Sequence, residues 1–178
     1  MTRIASLALL ALAAFAQPVA ASTPMTSLIL SGASVVLDGD TLAKEQRCLA
    51  EAIYFEARSE REDGRVAVAQ VVLNRVKSGT YPGSVCGVVY QNRHRRLACQ
   101  FSFACTGKPL RITEPEPWEE AVRIAREVYE GRIYLEEVGT STHYHADYVQ
   151  PDWARKLKKM DVIGRHIFYV EYQRWAAS

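Results

Sequence analysis

The chain predicts an α+β fold that is mainly helical, with a small sheet late in the sequence. Two observations carry this. Apolar residues recur at helical spacing over residues 42–59 and 118–129, the signature of buried helix faces, and the segment around the apolar run 66–73 is too long for a typical strand. After Gly131 the texture changes to β-branched and aromatic runs at 142–149 and 167–170, which suit short strands. The expected domain order is a signal peptide at 1–21, a flexible leader at 22–42 and one folded domain at 43–178. About 155 residues remain once the signal is set aside, enough for a single domain with its own core. No repeat or low-complexity tract interrupts them.

The start of the chain reads as an export signal. Arg3 gives a basic opening, residues 4–16 are small and apolar, and Val19-Ala20-Ala21 is similar to an A-x-A cleavage site. The apolar run is about 13 residues, short against the ~20 that span a bilayer. A retained membrane anchor is the alternative. The expected location is secreted or periplasmic, with no stable membrane insertion after cleavage. The 22 basic and 20 acidic residues are interspersed, for a formal charge of +2. That balance gives no support to a nucleic-acid partner. The one basic cluster, Arg93-His94-Arg95-Arg96, reads as a solvated loop.

Four cysteines, Cys48, Cys86, Cys99 and Cys105, suit two disulfides in an oxidising compartment. Three connectivities are possible and the sequence does not choose among them. The preferred one is a local Cys99–Cys105 bond closing its loop, which leaves Cys48–Cys86. No pair is spaced as C-x-x-C, which counts against a zinc site.

Taken in order, the first helix is expected from about residue 42 to 59, followed by a break at Asp63-Gly64. A second helix is expected over 65–77, apolar nearly all round and therefore buried. Tyr81-Pro82-Gly83 marks a turn, after which Ser84 caps a short helix through Tyr90. Residues 91–112 lack periodicity and form a long, functional loop closed by a disulfide. Pro115 and Pro117 sit at the first turn of the next helix, which stops at Gly131. Between the late strands, residues 154–159 read as a basic helical piece.

Glu56 is the most informative residue. The apolar stripe Cys48, Leu49, Ala52, Ile53 has its next position at Glu56. A carboxyl on a core-facing stripe loses hydration, which raises its pKa. A protonated carboxyl in a cleft wall is suited to general acid work. A core-edge ion pair with an arginine is the structural alternative. Glu60, one turn on, would raise the pKa further, while Arg58 opposes this only if turned towards the pair. Glu51 is out of phase with the stripe and is expected to be solvated.

Other residues invite rival chemistries. His143 and His145 in H-x-H, with Asp147 and His166, offer zinc ligands, though no diagnostic metal spacing accompanies them. Ser102, His143 and Asp147 compose a triad on paper without a nucleophile elbow. Aromatic rings with Gln100 and Ser102 suit a sugar-binding cleft.

The ordered phrases Ala52-Ile53-Tyr54-Phe55-Glu56-Ala57-Arg58-Ser59-Glu60, Gly64, Val66-Ala67-Val68-Ala69-Gln70-Val71-Val72-Leu73-Asn74-Arg75-Val76, Tyr81-Pro82, Gly87-Val88-Val89-Tyr90-Gln91, Gln100-Phe101-Ser102, Thr142-His143-Tyr144-His145, Pro151-Asp152-Trp153 and Ile163-Gly164-Arg165-His166-Ile167-Phe168-Tyr169 give the chain a family resemblance. It resembles the cell-wall hydrolases of the spore-cortex lytic enzyme (SleB/CwlJ) type over about residues 48–170. The resemblance implies a lysozyme-like or lytic-transglycosylase-like domain that cleaves peptidoglycan glycan strands, with Glu56 as its acid. Ser59 stands where the family often has glycine. The cysteines, and the lack of a separate wall-binding module, look like Gram-negative versions, so ordinary wall glycan replaces spore cortex as the expected substrate.

A lone acid suits a lytic transglycosylase, because most hydrolysing glycosidases use two carboxylates. Asp147 and Asp152 are candidates for a second but carry no positional signature. The substrate-binding set assigned here is Glu60, Gln100, Phe101, Ser102, His143, Tyr144 and His145. No cofactor or metal is expected, and the protein is expected to be a monomer. The alternatives are an amidase or other metal-assisted wall hydrolase using His143, His145 and His166, and a non-catalytic wall-binding module.

Overall fold

The computed structural model describes residues 26–30, 33–95 and 99–172. The expected signal peptide lies outside the described residues. An antiparallel hairpin, β1 (Thr26–Leu30) and β2 (Ala33–Leu37), precedes α1 (Gly39–Ala57). The stretch read as a leader therefore contains paired strands, with Thr26 opposite Leu37. The helix starts ahead of Leu42 because Asp38 caps it, accepting from the Thr41 backbone N–H at 2.9 Å and from its hydroxyl at 2.7 Å. An N-cap carboxylate satisfies backbone donors that the first turn leaves open.

The architecture is α+β and mainly helical, as the periodicity predicts. α1 packs against α2 (Glu62–Lys77), α3 (Val85–Val89) and α4 (Pro115–Tyr129). Leu49, Ile53 and Tyr54 of α1 are fully buried among Val72, Val88, Val89 and Ile124. Two side chains fasten α1 to its neighbours. Glu45 accepts from the Val85 and Cys86 N–H groups at the start of α3. Tyr54 Oη accepts from the Thr113 and Glu114 N–H groups, both at 3.1 Å, just before α4. Cys48–Cys86 links α1 to α3, and Cys99–Cys105 closes the loop, the preferred pairing of the three.

α2 differs from expectation in two ways. It begins at Glu62, so Gly64 lies inside its first turn instead of breaking the chain. A Cβ at Gly64 would come within 2.9 Å of Glu60 Cβ, so the glycine permits a close approach rather than a turn. Nor is the helix apolar all round, since Gln70 and Arg75 are buried in it. Gln70 and Asn74 donate to the carbonyls of Leu135, Gly139 and Ser141 at 2.9–3.0 Å. These bonds fix the segment that leads into β3 (His143–Ala146).

The late sheet has three antiparallel strands in the order β3, β5 (His166–Val170), β4 (Lys158–Ile163). The region read as a basic helix is instead a 3-10 turn over Asp152–Lys156 followed by β4. Lysines on an outer strand fit, because charge protects an open edge from further pairing. Residues two apart on a strand share a face. Tyr144, Ala146, His166 and Phe168 therefore face one way, and His143, His145, Ile167 and Tyr169 the other. Phe168 joins Ala67, Val71 and Val138 in a second buried cluster, which seats the first face on α2.

The turn between β4 and β5 contains Gly164 at φ +57°, with the Glu60 carboxylate packed against it and accepting from Arg165 N–H at 3.2 Å. A side chain at Gly164 meets both an unfavourable φ and that carboxylate. Gly164→Ala is expected to destabilise the fold by about 1–3 kcal/mol in urea unfolding, the range for a non-glycine forced to positive φ.

Candidate active site

Glu56 lies in the last turn of α1 and points into a cleft of about 720 Å³. Burial pushes its carboxyl up from 4.5 to about 6, and the nearby Arg75 guanidinium opposes that rise. Glu60 is not the cause of the rise, being turned to the Gly164 turn. Arg58 does not oppose it either, because it donates to Glu114 at 2.8 Å and lies over the Tyr54 ring.

Arg75 is the cation that the sequence reading missed. It is 3% exposed, and a buried charge persists only with partners on several sides. Its Nε donates to the Thr142 carbonyl at 2.7 Å. With the Gln100 amide turned so that its oxygen faces the guanidinium, Nη1 and Nη2 donate to it at 3.0 and 3.2 Å. Its charge also lies over the rings of Tyr81 and Phe101, at 5.4 and 5.7 Å. A charged residue inside an apolar helix is the same signal that singled out Glu56, and it was available in the sequence at Arg75.

Tyr144 and His166 share the cleft wall with Glu56 and Arg75. Burial and the Glu56 charge push the Tyr144 phenol far above its usual range, so it stays a hydroxyl. Burial lowers the His166 pKa against the pull of Glu60 and Asp147, which favours neutral imidazole. Its Nδ1 is buried with no hydrogen-bond partner among the described residues. Such a group in a cleft wall is a ready partner for a substrate atom.

Of the assigned substrate-binding residues, Gln100, Ser102, Tyr144 and His145 line the cleft. Phe101 is in the core, tilted against Phe103, and supports Arg75 from behind. Glu60 stays at the Gly164 turn. His143 faces away, within 3.0 Å of the Thr142 hydroxyl and 3.4 Å of the Tyr81 hydroxyl. Glu51, expected in solvent, is buried between Arg47 and the Tyr90 hydroxyl.

The rival constellations do not assemble. His143 and His145 lie on the sheet face opposite His166. Both ring nitrogens of His145 are engaged, with the Ala146 carbonyl and the Tyr169 hydroxyl at 2.9 Å each. Among the described residues no group of three or more His, Cys, Asp or Glu side chains is placed to hold a metal ion. The paper triad fails too, because Asp147 pairs with Arg165 at 3.4 Å and His143 lies on the far face from the cleft. Among the described residues Glu56 is the one carboxylate lining this cleft.

Residues 59–169 match the family described as cell wall hydrolase. The chain belongs to that family. The matched span begins just after Glu56. The spore cortex-lytic enzyme of Bacillus subtilis is 28% identical over 147 residues, 83% of this chain and 44% of its own length. That of Halalkalibacterium halodurans is 33% identical over 121 residues, 67% and 33%. This cell wall hydrolase thus spans less than half the length of these relatives. Among solved structures, the catalytic domain of the germination-specific lytic transglycosylase SleB from Bacillus anthracis is similar at TM-score 0.56 and 30% identity, over 76% of this chain and 100% of that one. The catalytic domain of the Bacillus cereus SleB protein gives 0.53 and 26%, over 71% and 89%. These neighbours bear out the lysozyme-like, lytic-transglycosylase-like fold that the resemblance implied.

The raised pKa has a consequence for stability. Glu56 binds its proton more tightly folded than unfolded, so the fold loses stability as pH rises from about 4.5 to 6 and keeps that deficit above. Glu56→Gln carries no charge to bury. It is expected to be more stable than wild type by about 1–2 kcal/mol at pH 8, with the difference vanishing at pH 4; denaturant titrations at both pH values measure it.

Proposed function

We propose that this domain is a peptidoglycan lytic transglycosylase with Glu56 as its sole acid and base. The observation that carries the proposal is one half-buried carboxyl, with a pKa near 6, as the only acid lining the cleft among the described residues. Protonated Glu56 donates to the glycosidic oxygen between N-acetylmuramic acid and N-acetylglucosamine, and the C1–O bond breaks. The resulting Glu56 carboxylate removes the proton from the muramic 6-hydroxyl, whose oxygen closes on C1. The product is a 1,6-anhydro ring, no water is consumed, and Glu56 ends protonated.

The surroundings suit each half of that cycle. Low hydration raises the share of Glu56 that carries a proton in the resting state. Arg75 stabilises the carboxylate that exists between the two transfers. Gln100, its oxygen taken by Arg75, presents its amide nitrogen as a donor. The Tyr144 hydroxyl and the His166 ring supply further polar contacts for the sugar and its N-acetyl group, with Ser102 and His145 at the rim.

A hydrolysing muramidase needs a base on the opposite face of the sugar, and among the described residues no second carboxylate lines the cleft. An amidase needs the histidines to converge, and they diverge. Wall glycan exposed outside the cytoplasmic membrane is the proposed substrate, consistent with the export signal read at 1–21. No helix among the described residues is long and apolar enough to cross a membrane.

Mass spectrometry of digested sacculi tests the chemistry. Anhydro-muropeptides are expected, and Glu56→Gln should lower their yield by at least about 10²-fold, the low end of general acid contributions. Reducing ends in their place would indicate hydrolysis, and released peptides with intact glycan an amidase. The initial rate is expected to fall by about tenfold per pH unit above about 6 as Glu56 loses its proton; a flat profile to pH 8 would contradict that role.

A further inference from the structure

The cleft does not end at β3. Beyond the end of that strand, on the sheet face opposite Tyr144, lies a second cavity of about 440 Å³. His145, Tyr148 and Val149 line both spaces, so the two adjoin at an exposed apolar ridge on which Tyr148 is 75% exposed. The far wall of the second cavity carries Ile167 and Arg155. Asp147 and Arg165 pair with each other at 3.4 Å, and Arg165 lies over the Tyr148 ring at 5.3 Å. Their charges are thereby engaged. Arg155 has no ion-pair partner among the described residues.

We propose that this second cavity is a subsite for the peptide stem of the substrate, with Arg155 pairing a stem carboxylate. The inference rests on reading the main cleft as the glycan site. Peptidoglycan carries a short acidic peptide on the lactyl ether of its muramic acids. A strand with its scissile bond at Glu56 must route that peptide out of the cleft, and the adjoining cavity lies past one shared wall. Its volume is within the usual range of small-ligand sites, about 300–1,000 Å³. An apolar ridge followed by a guanidinium with no ion-pair partner among the described residues suits a chain that carries both methyl-bearing and carboxylate-bearing residues, because Arg binds carboxylates through paired N–H donors.

The test is a binding titration with the whole protein, followed by backbone amide shifts at residues 147–155. The two ligands are a disaccharide–peptide fragment, whose internal bond is not of the scissile type, and the same disaccharide stripped of its peptide. The peptide-bearing fragment is expected to bind about threefold to tenfold more tightly. Arg155→Glu should erase that margin and Arg155→Lys, which keeps the charge without the paired donors, retain only part of it. Equal binding of the two fragments, or a margin that survives Arg155→Glu, overturns the proposal. Binding requires no bond cleavage. A failure here therefore leaves the anhydro-product test untouched, and a failure there leaves this site standing.

Discussion

The site depends on one carboxyl group kept poor in water opposite one buried guanidinium. Burial alone would push the Glu56 pKa higher still, which favours the acid at the expense of the base. Arg75 supplies the opposing pull, and the balance puts the carboxyl near 6. A group near that value can give a proton and take it back at little cost in either direction. Much of the described fold serves to hold these two groups in place.

Arg75 makes the demand structural as well as chemical. A cation that is almost wholly buried needs acceptors and ring faces, and it draws them from three parts of the chain. Thr142 comes from the lead into β3, Gln100 and Phe101 from the loop closed by Cys99–Cys105, and Tyr81 from the turn before α3. The disulfide limits the loop's freedom so that Gln100 can serve both Arg75 and the cleft. Gln70 and Asn74, on the same helix, anchor residues 135–142, which deliver Tyr144 to the wall. One helix thus presents a row of polar side chains that organises the sheet side of the cleft, while α1 supplies the acid from the other side.

Much of this was legible in the residues. The stripe that Glu56 interrupts, the Ser84 cap, the start of α4 at Pro115 and its stop at Gly131 are local signals, and local physics decides them. What escaped was set by contacts far apart in sequence. Glu51 is out of phase on its own helix yet buried by Tyr90, 39 residues on. Gly64 looks like a breaker until the Glu60 side chain is seen against it. β4 opens on Lys158 and Lys159, which read equally well as the end of a basic helix; the pairing of the strand with β5 decides it. The three histidines looked like ligands because H-x-H is a genuine same-face spacing, but His166 enters from the neighbouring strand at a register that turns it to the other face.

The central claim is electrostatic and can be read at a single atom. A ¹³C NMR titration of the Glu56 side-chain carboxyl, assigned by its loss in Glu56→Gln, gives the protonation midpoint directly. The expected midpoint is about 6, caused by burial and limited by Arg75. A midpoint at the ordinary 4.5 would contradict it, because the protonated fraction that the first step of the proposed cycle draws on at neutral pH would then be about thirtyfold smaller.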